Sequence, residues 1–197
     1  MYTATQNLSH LQSGRRRADR GFTLIELLVV VTLVGIFARL AMPGFASAIE
    51  SNHRNTITSR LMEDLAQARL QAIAISSSMA LCPTAPASAI TCQNSTAWSS
   101  GWYVYAGDAA TISAASAVLR APQPLPSGWV VDAHLPNPGN FLAISARSET
   151  SQFGHFTIYR SGYSATAGCV TVSSTGRARS STAKVNSGVV SDANDPC

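Results

Sequence analysis

Charge is scarce in this chain: of 197 residues only 14 are Lys or Arg and 10 are Asp or Glu. What charge there is lies unevenly. Arg15, Arg16, Arg17 and Arg20 crowd the first 21 residues against a single acid, Asp19, and the rest of the chain carries 10 basic and 9 acidic side chains, net +1. A basic surface spread over the whole molecule is therefore excluded, and any binding to a polyanion has to rest on a local patch. No Gly-x-Ser-x-Gly elbow, phosphate loop, metal-binding helix or paired-carboxylate pattern occurs, so no enzymatic chemistry is indicated. Asp108 and Asp132 read as loop residues. The four histidines, His10, His53, His134 and His155, lack the paired spacing that a zinc site shared with cysteines would need. No metal or cofactor is implied, and no internal repeat is visible. Wholesale disorder is excluded by Trp98, Trp102, Trp129 and the aromatic strand-like pieces around them.

What is present is one long apolar run. From Leu27 to Ala38 no residue is charged, and Phe22 to Met42 contains only Glu26 and Arg39. At about 1.5 Å per residue these positions cover roughly 30 Å, the thickness of a bilayer core. The basic head predicts that the N-terminus stays cytoplasmic and the C-terminal part is translocated. Glu26 inside such a span costs on the order of 2.5 to 3.5 kcal/mol, so it needs an interface or a partner. A cleaved secretory signal shares the basic head and apolar segment, with Ala46-Ser47-Ala48 as its cleavage site. Glu26 and the continuation through Arg39 argue against that reading.

Gly21-Phe22-Thr23-Leu24-Ile25-Glu26-Leu27-Leu28 resembles the prepilin processing signal of type IV pilins and type II secretion pseudopilins. The resemblance implies cleavage by a prepilin peptidase between Gly21 and Phe22, methylation of the new N-terminal Phe22, and retention of the helix. Pro43 also matches that family's long helix. Glu26 would then be the fifth mature residue, steering assembly by pairing with a positive group of a neighbouring subunit, such as its free N-terminal amine.

Beyond Gly44, apolar residues Ile49, Ile57, Leu61, Leu65, Ala68, Ala72 and Ile75 recur at helical spacing, with Glu50, Arg54, Arg60, Glu63, Asp64 and Arg69 on other faces. The expected organisation is a leader over 1–21, a membrane-spanning assembly helix over 22–43, an amphipathic periplasmic helix over 44–79, and a β-rich head over 80–197. Pro43-Gly44 is expected to bend or loosen the join. Strand-like pieces fall at 101–105, 117–120, 129–131, 141–144, 156–159 and 169–172, separated by Pro- and Gly-rich turns. The predicted class is α+β: a long N-terminal helix packed on an antiparallel β-sheet head. Cys82, Cys92, Cys169 and Cys197 all lie past the span, in what should be an oxidising compartment, and favour disulfides. Of three pairings, one closes a short Cys82–Cys92 loop and leaves Cys169 with Cys197; the others stay open.

Leu81-Cys82-Pro83, the loop to Cys92, Trp98 with Gly101-Trp102-Tyr103-Val104-Tyr105, and Gly176-Arg177-Ala178-Arg179 resemble the GspH/FimT family of minor pilins and pseudopilins. The FimT-like branch is associated with DNA uptake in natural transformation through a Gly-Arg-x-Arg motif. By that resemblance Gly176 shapes a turn while Arg177 and Arg179 meet DNA phosphates. Independently, Thr150 to Ser191 holds four basic residues, Arg160, Arg177, Arg179 and Lys184, and no acid, which adds Arg160 and Lys184 on charge alone. An extended Arg177–Arg179 would project both guanidinium groups on one side, about 6.6 Å apart. The expected partners are DNA, other pilin subunits, the prepilin peptidase and, before assembly, the inner membrane; the expected place is that membrane, with the head in the periplasm, and then the cell-surface pilus. A tip pseudopilin of a type II secretion filament, or a minor pilin that primes assembly, would need no nucleic acid.

Overall fold

A computed structural model describes residues 21–83, 92, 98–107, 118–136, 141–162, 166–185 and 197, with backbone only at 41–43. Leader residues 1–20, Asp108 and most of the 84–97 loop lie outside the described residues. The chain divides into two units, Met1–Gly44 and Phe45–Cys197, and one helix, α1 (Leu24–Ala74), contributes to both.

In the first unit the helix starts at a cap. The Thr23 hydroxyl accepts from the Glu26 N–H at 3.3 Å, and the Leu27 N–H bonds the Thr23 carbonyl at 3.2 Å. Thr23-x-x-Glu26 is the sequence of a capping box, and a carboxylate in the first turn also complements the helix dipole. The observed cap bond comes from the Glu26 backbone N–H, so the local contribution of its carboxylate is the dipole term alone. Side chains from Phe22 to Leu40 are exposed. Neither Leu24–Leu40 nor Gly44–Ala74 alone is long and apolar enough to cross a membrane; taken together they satisfy that condition.

In the second unit α1 buries Ile57, Leu61, Leu65, Ala68 and Ala72, one stripe at helical spacing. The ends of the predicted stripe, Ile49 and Ile75, are exposed. The helix also stops five residues earlier than the predicted 79. Ser76 adopts φ 50°, the Ser76 N–H bonds Ile73 O at 3.3 Å, and the Ser77 N–H bonds Ala72 O at 3.2 Å. This pair of bonds closes a Schellman cap and leaves room for a strand at once.

That strand is β1 (Met79–Pro83), followed by β2 (Trp102–Ala106), β3 (Val118–Arg120), β4 (Trp129–His134), β5 (Leu142–Ile144), β6 (Gly154–Arg160), β7 (Thr166–Val172) and β8 (Ala178–Lys184). Among the described residues these form two four-stranded sheets, ordered β3-β2-β1-β5 and β4-β6-β7-β8, and their strand pairs are antiparallel. One continuous core joins the helix stripe to both sheets through Met79, Leu81, Trp98, Trp102, Phe156 and Val170, among others. The architecture is α+β, a helix packed on antiparallel sheets. The alternate residues of β1 and β2, Ala80, Cys82, Tyr103 and Tyr105, form a second cluster with Cys92 and Phe141. Disulfides join Cys82 to Cys92 and Cys169 to Cys197, with Cα atoms 5.1 and 5.7 Å apart.

Three polar residues differ from their sequence reading. Asp64, assigned to an outer helix face, is 1% exposed. It is buried because it accepts from Trp102 Nε1 at 2.7 Å and pairs with Arg120, whose other terminal nitrogen reaches Glu63 at 3.3 Å. The Arg60 guanidinium stands 4.7 Å over the Trp102 ring. Asp64 holds the Arg120 guanidinium above its ordinary pKa, while burial lowers that of Arg60. Arg54, assigned likewise, is 9% exposed. Asp132 is a strand residue of β4 rather than a loop residue, and accepts from the Tyr159 hydroxyl at 2.7 Å.

Candidate nucleic-acid interface

The strands β7 and β8 form a hairpin closed by three residues, Ser174, Thr175 and Gly176. The Gly176 N–H bonds Ser173 O at 2.9 Å and the Ser173 N–H bonds Arg177 O at 3.0 Å. A turn followed by a residue at positive φ is the common three-residue hairpin loop, and Gly176 has φ 65°. Gly176 is also packed: a Cβ there would run into the carbonyl oxygen of Ser148. The Thr150 N–H ties the turn to β5's side by bonding Ser174 O at 2.9 Å.

From this anchored turn Arg177 and Arg179 project as exposed side chains, with half-buried Ala178 between them packed on the core. Among the described residues neither guanidinium has an ion-pair partner. Exposed Glu149, next to Thr150, pairs with neither. The register aligns Arg179 with Thr171, Thr171 with His155, and His155 with His134. Directly opposed residues share a face, so Arg179 and the two imidazoles lie in one row across the sheet. The imidazoles are stacked, with centroids 4.8 Å apart and an interplanar angle of 14°. Among the described residues no cluster of three or more metal-ligating side chains occurs.

The five residues expected for DNA do not form one cluster. Lys184 lies at the far end of β8, opposite Thr166, about 17 Å of strand beyond Arg179. Lys184 lies an odd five positions beyond Arg179, so it faces the other side of the sheet. Arg160, opposite Trp129, shares the face of Ile158, Gly168 and Thr182, and hence that of Lys184. The arginine pair therefore stands apart from Arg160 and Lys184.

One cation that sequence reasoning missed lies close by. Arg69 donates to Ser148 Oγ at 3.4 Å, and with Met62, Leu65, Gly176, Arg177 and Ala178 it lines a cleft of about 160 Å³. Its position one turn beyond Leu65 was the available signal; the contact itself joins segments 79 residues apart.

The family described as type II transport protein GspH matches residues 58–176, and the prokaryotic N-terminal methylation motif matches residues 16–38. The type IV major alpha-pilin and fimbrial protein Q of Moraxella bovis are each 36% identical over 44 residues, 22% of this chain and 28% of theirs. The match thus spans less than a third of either relative. The type IV minor pilin FimU of Pseudomonas aeruginosa PAO1 has a similar fold, with TM-score 0.50 and 18% identity, over 66% of this chain and 89% of that one. With more than half of its length matched, behind an N-terminal methylation motif, this chain belongs to the GspH family of pilin-like proteins.

Proposed function

We propose that this chain is a minor type IV pilin that binds extracellular DNA through its phosphates, without sequence preference, for uptake in natural transformation. The observation that carries the reading is the pair Arg177 and Arg179, exposed, free of ion pairs among the described residues, and mounted on a turn that Gly176 fixes. Guanidinium groups clamp phosphate oxygens through two parallel hydrogen bonds, and such contacts carry no sequence information. The GspH match ends at Gly176, immediately before the two arginines. In the same proposal a prepilin peptidase cuts between Gly21 and Phe22, Phe22 is methylated, the helix holds the protein in the inner membrane with its head in the periplasm, and Glu26 directs entry into the filament.

The test is a low-salt titration of a labelled duplex with the mature chain in detergent micelles. Arg177→Ala with Arg179→Ala is expected to remove most of the binding while leaving the unfolding transition in place. Equal retention of DNA by variant and wild type would sink the assignment. The family's own description, type II transport, favours a second reading as a tip pseudopilin with protein partners only, and that reading predicts no measurable DNA affinity in the same titration.

A further inference from the structure

A second cleft lies where α1 passes the middle of the edge strand β8. It measures about 190 Å³, and its lining includes Arg54, Asn55 and Thr58 of α1, Gly168 of β7, and Ser180 and Thr182 of β8. Every lining side chain is polar. Arg54 is nine-tenths buried, yet it enters no ion pair among the described residues. Its Nη1 donates to Thr166 Oγ1 at 2.5 Å and its Nη2 to Ser51 Oγ at 3.0 Å, while its buried Nε has no acceptor. A guanidinium carries five N–H groups, so two bonds leave three donors unused.

The sheet is shaped around this arginine. A Cβ on Gly168 would stand 2.7 Å from Thr58 Oγ1 and 3.2 Å from Arg54 Cγ, so the absent side chain is what admits the arginine stem. A buried cation held only by neutral hydroxyls is unfavourable unless an anion joins it. We infer that this cleft is an oxyanion site that takes a phosphate group, with Arg54 supplying the charge and the hydroxyls of Thr58, Ser180 and Thr182 the surrounding hydrogen bonds. Hydroxyls on both the helix and strand sides suit a tetrahedral group with several acceptor oxygens. Free phosphate and a phosphodiester of nucleic acid present the same chemistry. The site does not depend on the role given to Arg177 and Arg179.

The experiment titrates inorganic phosphate into the mature chain in maltoside micelles, at ionic strength held constant with chloride, and reads the thermal unfolding midpoint. Phosphate is expected to raise the midpoint of the wild type by mass action, and Arg54→Met to weaken its affinity about tenfold or more. Ser180→Ala with Thr182→Val, at exposed strand positions, is expected to weaken it without moving the midpoint of the phosphate-free protein. The Arg177→Ala, Arg179→Ala chain should keep its phosphate, which separates failure of this site from failure of the DNA reading. Displacement of phosphate by an oligonucleotide would make nucleic acid the source of the ligand; phosphate retained beside the oligonucleotide would make it a small phosphate, and both results uphold the site. No midpoint shift in the wild type, or equal affinity in the wild type and both cleft variants, would overturn it.

Discussion

Gly176 is fixed by two separate constraints, a backbone at φ 65° and the Ser148 carbonyl oxygen where a Cβ would lie. Gly176→Ala should therefore destabilise the protein by about 1–3 kcal/mol, measured by chemical denaturation; an alanine variant as stable as wild type would contradict the packing described. Half of this was legible in the sequence. Ser-Ser-Thr-Gly before two arginines reads as a turn, but the crowding comes from Ser148, which no local pattern reveals. Arg54 and Asp64 illustrate the same limit. Each sits at a helix position that looks solvated, and each is buried because a partner arrives from a distant segment: Thr166, 112 residues from Arg54, and Arg120, 56 from Asp64.

Elements were legible where burial is one-sided or where aromatic and β-branched residues cluster, as in Trp102-Tyr103-Val104-Tyr105 of β2. β4 alternates buried and half-buried residues through Trp129, Val131 and Ala133, and the helix stripe from Ile57 to Ala72 keeps one period. Two strands broke the pattern from opposite directions. β1 is buried along its whole length, Met79–Pro83, so it shows no alternation. β8, Ala-Arg-Ser-Ser-Thr-Ala-Lys, is an edge strand with no buried residue, and its strand state comes from backbone pairing with β7. Helix and first sheet are fastened by Asp64, Trp102 and Arg120. Asp64→Ala leaves Arg120 without its closest acid and Trp102 Nε1 without its acceptor, and should lower stability by about 2–3 kcal/mol. Glu63→Ala removes only an exposed contact and should change it by less than about 1 kcal/mol. Equal losses for the two, in denaturant titrations of the mature chain, would refute the clamp.

For the whole molecule, the first unit is an exposed apolar helix behind a methylation motif, and the second is a nearly neutral folded head. On the proposed function the two units divide the work: the first would direct assembly and the second would present the arginines. On the proposed assembly role, Glu26→Ala and Glu26→Gln should both reach the membrane in normal amounts and both be depleted from sheared filaments. Thr23 caps the helix through the Glu26 backbone N–H, which neither substitution removes. Normal incorporation of both would confine Glu26 to a local role in the helix start.

The salt dependence of DNA affinity tests the central claim most directly. With one phosphate neutralised by each of the two arginines, the logarithm of the association constant should fall with the logarithm of salt at a slope of about −2, alike for unrelated sequences. Arg177→Ala with Arg179→Ala should make that slope shallower by about 2. An unchanged slope and affinity in the double variant would contradict the account.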